Sequence, residues 1–238
     1  YYPIREPNPA LGWRGIRFAL DNPVIFITQL RAMIRASAGL GNLRILIPMI
    51  SRVEEAEESL ELIHRTWREL VNEGEDVSMP SCGFMIEVPS AVYQSGTLAQ
   101  YADFLSIGTN DLTQYLLAVD RSNERVAARF ESLHPAVIQA LQHVVMEAQR
   151  HGTPVSVCGQ AAGDPGMAIL LTGMGIHGLS MSASDLPRIK AVIRAFSREQ
   201  ARALLHDVLQ INRASQISEL LTGALIEAGL SGLLRAGA

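Results

Sequence analysis

The sequence predicts an α/β fold on a parallel sheet, and three observations carry the prediction. Short apolar runs alternate with longer amphipathic stretches along the chain. The runs are continuously apolar rather than alternating, as strands buried on both faces are. With 238 residues, 48% of them hydrophobic, there is enough apolar material for a sizeable core.

Taken in order, LRILIPMI (43–50) reads as a buried strand ending at Pro48, and Glu-rich helical periodicity follows over about 52–73. CGFMIEV (82–88) is the next strand. Pro89 and Ser90 after it suit the start of a helix over about 90–101. ADFLSIGT (102–109) is a third strand, followed by helical stretches at 111–118 and 135–151. PVSVCG (154–159), a helix over 164–174 and GLSMSA (178–183) continue the alternation. A helix over 185–196 has Asp185 as its expected N-cap and Pro187 in its first turn. Helices at 197–209 and 215–228 lead to a Gly-rich end, 229–238, expected to fray. About five strand–helix units result. That suits an open sheet of five strands or part of a barrel of eight, and the pattern leaves both open.

Several function classes drop out. A formal charge of −4 with scattered Lys and Arg gives no basic stripe for nucleic acid. No G-x-G-x-x-G follows a strand, so dinucleotide binding has no support. Two cysteines make no disulfide framework and point to a reducing cytoplasm. No apolar stretch is long enough to span a bilayer, and no signal peptide opens the chain. A start at Tyr1 rather than Met reads as a portion of a longer protein.

Three consecutive strands end in chemistry-bearing residues: Glu87, then Thr109-Asn110-Asp111, then Cys158. Carboxylates at the ends of buried strands need a positive partner, and neither has a Lys beside it. Two hard oxygen donors from neighbouring strand ends suit Mg²⁺, which takes one or two carboxylates plus substrate oxygens. The competing reading makes each carboxylate a helix cap. It is the better one for Asp111 alone, and metal is the better one for the pair. Arg121 reads either as a surface ion pair with Asp120 or Glu124 or as an anion ligand. Arg14, in NPALGWRGIR (8–17) near Arg17, reads either as a surface residue or as a guanidinium presented to phosphate. Cys158 is an inert thiol, a proton donor or a nucleophile. Cys82 begins its strand and is assigned no role. The six histidines share no metal-ligand spacing and are read as non-catalytic.

The strings IEVPSA (86–91), GTNDLTQYLLAVDR (108–121) and CGQAAGDP (158–165) resemble Enzyme I of the bacterial phosphotransferase system. NPALGWRGIR, LRAMIRAS, SLHPAV and GLSMSASDLPRIK extend the likeness over nearly the whole chain. The opening REPNPALGWRGIRF and closing GLSGLLRAGA look like its nitrogen-related branch. The resemblance implies a TIM-type (β/α)₈ barrel spanning 1–238, incomplete at its N-terminal side, that binds phosphoenolpyruvate and forms a homodimer. It implies Glu87 and Asp111 as Mg²⁺ ligands, and Arg14, Asn110, Asp111 and Arg121 around phosphoenolpyruvate. Cys158 becomes the acid that protonates C3 of the enolate. The phosphoryl group would pass to a histidine on a separate domain, then to a phosphocarrier protein. Pyruvate phosphate dikinase and phosphoenolpyruvate synthase share the Glu, Asn-Asp and Cys pattern. Lyases of the citrate lyase type share only the carboxylate pair, and a non-catalytic phosphoenolpyruvate-sensing and dimerisation module is a further alternative. Gln160 departs from the Glu that usually follows Cys-Gly, which removes a charge. A chain starting at Tyr1 lacks the histidine-bearing domain and the early barrel strands, so it is expected to be inactive alone and to leave strand edges open.

Overall fold

The structure, a computed structural model, describes residues 5–233. Its strands fall on the apolar runs: β1 (Arg44–Ile47), β2 (Ser81–Ile86), β3 (Phe104–Gly108), β4 (Val155–Cys158) and β5 (Gly178–Leu179). They follow the sheet order β1-β2-β3-β4-β5. β1 pairs with β2 in parallel, Arg44 opposite Ser81, and β4 pairs with β5 in parallel, Ser156 opposite Gly178. The α/β class with a parallel sheet therefore holds. The chain divides into two compact units, one up to Leu105 and one from Ser106.

The first unit opens with two helices the sequence reading did not mark, α1 (Ile16–Asp21) and α2 (Pro23–Ala36). Pro23 starts α2, and Phe26, Leu30 and Ile34 bury one face at four-residue spacing. That stripe packs on α3 (Val53–Asn72), whose Ala56, Ile63 and Leu70 face inward. Arg31 and Arg35 of α2 pair with Glu69, Glu73 and Glu75. At the start of α3, Glu55 accepts hydrogen bonds from the N–H groups of Ser51 (2.7 Å) and Arg52 (3.1 Å). In β2, Gly83 lets Phe104 lie against the strand, since a Cβ there would stand 2.5 Å from the ring. The helix expected over 90–101 is two helices, α4 (Pro89–Tyr93) and α5 (Ser95–Tyr101). They part at Gln94 (φ −104°, ψ 7°), whose amide donates to the Ser51 and Ser90 carbonyls.

In the second unit β3 stops at Gly108, and Thr109, Asn110 and Asp111 form the first turn of α6 (Thr109–Leu117). They sit in a helix rather than at a strand's last residues. Further on come α7 (Pro135–Arg150), α8 (Pro165–Met174), α9 (Leu186–Ala195), α10 (Arg198–Val208) and α11 (Ala214–Glu227). His134 caps α7, its Nδ1 accepting the Ala136 N–H at 3.2 Å, and Asp164 caps α8 by accepting from Met167 at 2.7 Å. Asp185 stands at the N-cap position of α9 but does not cap it. Its φ and ψ are already helical (−83°, −22°), and its carboxylate is taken by the Ser182 hydroxyl and Arg188. α8 is buried almost all round, and Ala168 and Ile169 share a core cluster with Ile189, Val192, Ala201 and Leu225. Leu230 and Leu233 pack against this cluster, so residues 229–233 do not fray. Residues 234–238 of that expectation lie outside the described residues.

α8 and α10 meet at Gly173, where a Cβ would stand 2.5 Å from the Ala201 carbonyl oxygen. Gly173→Ala is expected to lower stability by about 1–3 kcal/mol through overpacking. A urea titration reads this as an earlier midpoint, and an unchanged midpoint would show that the two backbones can separate freely.

Candidate functional site

In the first unit, Glu87 follows β2 and is 4% exposed. Its Oε1 accepts the Met49 N–H at 2.7 Å, so this carboxylate reaches across to the turn after β1 and does not cap α4. Met49 has φ +61°, a left-handed conformation uncommon outside glycine, and is itself buried. Gly15, at φ +58°, lies against the Met49 side chain: a Cβ on it would stand 2.8 Å from Met49 Cβ and Cγ. The Ile16 N–H donates to the Pro48 carbonyl at 3.3 Å. The loop bearing Arg14 is thus fastened to the turn that holds Glu87. Arg17 is committed to that loop, donating to the Leu11 and Gly12 carbonyls at 3.0 and 3.1 Å. Trp13 ties it further through Glu6 and Asp21. Both arginines around Gly15 are half-buried: Arg17 lies in α1, and Arg14 in the irregular stretch before it.

In the second unit, the start of α6 is stitched to the end of β4. The buried Thr109 hydroxyl donates to the Cys158 carbonyl at 2.6 Å, and the Gln160 N–H donates to Asn110 Oδ1 at 2.9 Å. Gly159 between them has φ +91°, and a Cβ there would stand 2.6 Å from Thr109 Oγ1. Only glycine fits. The Cys158 thiol lies 3.5 Å from the Ile107 carbonyl and 4.0 Å from the Ser106 hydroxyl. The turn after Gly159 is held by Arg188, which donates to the Gly163 carbonyl at 2.7 Å.

Arg121 is aimed by its own segment. α6 ends on Ala118 in the left-handed region (φ +52°), and the Val119 N–H returns to the Gln114 carbonyl at 3.0 Å. The buried Gln114 side chain then accepts the Arg121 N–H at 3.1 Å. Asp120 accepts from the Ser122 N–H and hydroxyl in an Asx turn. Those bonds, chiefly the hydroxyl's, hold the Asp120 carboxyl below its usual range. The guanidinium of Arg121 reaches Asp111 at 3.9 Å, in place of the ion pair with Asp120 or Glu124 that a solvated surface would give. Asp111 is the third residue of α6, in its first turn. Asn110, Asp111, Arg121 and Cys158 are therefore brought together within this unit, as Arg14 and Glu87 are within the other.

Glu87 in the first unit and Asp111 in the second each offer hard carboxylate oxygens, the donor type that suits Mg²⁺ better than a softer metal. No group of three His, Cys, Asp or Glu suited to a metal occurs among the described residues. Asn110 is oriented by its single acceptor bond: with Oδ1 occupied by a main-chain N–H, the Nδ2 donors face away from it. The sequence reading missed Met49, Gly15 and Gln114 as supporting residues, and marked Thr109 only as part of a strand end. Glycine beside Arg14 was the one available signal, because a positive φ at a methionine has no sequence mark.

A family model described as "PEP-utilising enzyme, PEP-binding domain" matches residues 2–198. A Salmonella typhimurium protein named "Phosphoenolpyruvate-dependent phosphotransferase system" is 44% identical over 238 residues, 100% of this chain and 32% of the relative. A "Phosphoenolpyruvate-protein phosphotransferase" of Cupriavidus necator is 47% identical over 205 residues, 85% of this chain and 35% of the relative. The chain thus spans about a third of the length of these curated relatives. Among solved structures, a citrate lyase of Burkholderia xenovorans is similar at a TM-score of 0.53 and 17% identity. It covers 85% of this chain and 69% of its own, and the likeness is one of fold.

The two thiols differ in a measurable way. Cys82 is 2% exposed, and its thiol is pushed from an ordinary 9.0 up to about 12, by burial first and then by the Asp103 carboxylate. Cys158 is half-buried at the end of β4. At pH 8 a thiol reagent is expected to label Cys158 alone in the native protein and both thiols in denaturant. Rapid native labelling of Cys82 would contradict its burial. A raised thiol pKa keeps its contribution to stability below pH 9.0 and loses it as pH climbs towards about 12. Cys82→Ala should therefore flatten part of the alkaline loss of stability seen in denaturation at stepped pH.

Proposed function

The chain belongs to the PEP-binding domain family of the PEP-utilising enzymes, and from that premise we propose that it is the phosphoenolpyruvate-binding portion of a phosphoenolpyruvate-protein phosphotransferase, Enzyme I, of the nitrogen-related branch. The observation that carries the reading is the stitching of α6 to the end of β4, which assembles Asn110, Asp111, Arg121 and Cys158 in one unit. In this reading the five parallel strands are part of a (β/α)₈ barrel, which places strand C-terminal ends on its catalytic face.

The roles follow from the groups present. Arg14 and Arg121 hold phosphate oxygens, and Arg121 already stands beside a carboxylate that shares its field. Asn110 turns its Nδ2 donors to the substrate. Glu87 and Asp111 hold Mg²⁺, which supplies neutralisation of the transferring phosphoryl charge when bound. As the bond between phosphorus and the enol oxygen breaks and a bond to a histidine nitrogen on a separate domain forms, electron density returns to C3. The Cys158 thiol gives its proton there, pyruvate leaves, and the thiolate takes a proton back from solvent. A phosphocarrier protein then receives the phosphoryl group. The working enzyme is a cytoplasmic homodimer in this reading. Two cysteines outside any disulfide suit a reducing compartment.

Asp111→Ala is expected to abolish Mg²⁺-dependent phosphoenolpyruvate binding in calorimetry of the intact protein, and unchanged binding would remove Asp111 from the site. Cys158→Ala should bind phosphoenolpyruvate normally yet fail to form pyruvate, whereas a wild-type rate would end its role as the acid. Asn110→Asp keeps an acceptor for the Gln160 N–H but replaces the donors with negative charge. It should lose about 1.5–3 kcal/mol of phosphoenolpyruvate affinity, roughly 10–150-fold, while Cys158 labelling stays native. Affinity equal to wild type would show that Nδ2 does not face the ligand.

A further inference from the structure

We propose that Met49 is a positioning residue serving two ligand groups at once: its main chain sets the Glu87 carboxylate, and its side chain seats the loop that carries Arg14. The inference rests on the proposed roles of Glu87 and Arg14 and goes beyond them, because it names what couples the two. The turn after β1 runs Pro48-Met49, and three contacts leave it in two directions. The Met49 N–H donates to Glu87 Oε1 at 2.7 Å. The Pro48 carbonyl accepts from the Ile16 N–H at 3.3 Å. The Met49 Cβ and Cγ close over Gly15 so tightly that no Cβ could stand there.

The left-handed conformation of Met49 is what allows both. At φ +61° its N–H turns towards Glu87 while its side chain turns towards Gly15. A non-glycine residue is held in this region only when its surroundings over-determine it, and here a buried carboxylate and a packed glycine do so. Carboxylate ligands need an outer partner to fix which oxygen faces the metal. The Met49 N–H is such a partner for Glu87 Oε1.

The two halves of the role separate by mutation in the intact protein. Met49→Gly keeps a residue at ease with positive φ but removes the side chain. It is expected to leave Mn²⁺ affinity, read by electron paramagnetic resonance, within a few-fold of wild type and to weaken phosphoenolpyruvate binding in calorimetry about 10-fold. Met49→Val disfavours the positive φ and is expected to weaken Mn²⁺ binding itself by roughly 10–100-fold, the range for loss of an outer partner. Gly15→Ala, which meets Met49 at 2.8 Å, should mimic Met49→Gly and serves should Met49→Val fail to fold. Wild-type Mn²⁺ affinity in Met49→Val, or wild-type phosphoenolpyruvate affinity in Gly15→Ala, overturns the proposal. Glu87→Gln in parallel tests the underlying reading: if it binds Mn²⁺ as tightly as wild type, the metal assignment of Glu87 fails, whatever Met49 does.

Discussion

A carboxylate with 4% exposure is the constraint around which the first unit is arranged. Removing such a group from water costs several kcal/mol unless hydrogen bonds or a cation meet it. Glu87 meets the main-chain N–H of Met49 at 2.7 Å. To offer that N–H, Met49 takes a backbone conformation that costs on the order of 1–3 kcal/mol for a residue with a side chain. The cost is offset by what the conformation makes possible, including the close seat of Gly15 and the capture of the Ile16 N–H by Pro48. A single buried carboxylate thereby dictates backbone geometry at two positions remote from it in sequence.

The second unit solves a similar problem with different groups. Two of its positive-φ positions, Gly159 (φ +91°) and Ala118 (φ +52°), are each answered by a buried side chain of α6. Thr109 and Asn110 bind the main chain on either side of Gly159, and Gln114 binds the main chain beyond Ala118. One short helix therefore fixes both the Cys158 turn and the Arg121 turn from its own first and second turns. Side chain to main chain bonds suit this task, because they hold a loop's path and leave the loop's own side chains to meet a ligand.

How much of this was legible in the sequence depends on what each feature rests on. All five strands fell on runs the sequence marked, β2 and β3 most clearly because they are buried nearly throughout, and α3 was visible because its apolar stripe has helical period. The candidate site residues were visible because polar and charged groups at a strand end are conspicuous. Gln94, which splits one expected helix into two, was not, since the break depends on a carbonyl of a distant segment, Ser51. Asp185 has an N-cap's identity and position, yet tertiary partners took its carboxylate. Residues 229–233 look like a frayed end by composition, but Leu230 and Leu233 find a core that only the packed helices create. The same holds for Met49 and Gln114, whose roles are defined by partners 38 and 7 residues away.

The departure at Gln160 can be weighed on these grounds. Its contact with the site runs through its main-chain N–H, donated to Asn110, and its side chain is exposed. Exchanging Glu for Gln at this position therefore leaves the hydrogen bond that orients Asn110 intact. What changes is one negative charge at the surface, where solvent and salt screen it strongly. One surface anion fewer at this position alters no geometry of the Asn110 contact. The position tolerates substitution because the fold asks only for its backbone, whereas Gly159 beside it does not, because there the fold asks for the absence of a side chain.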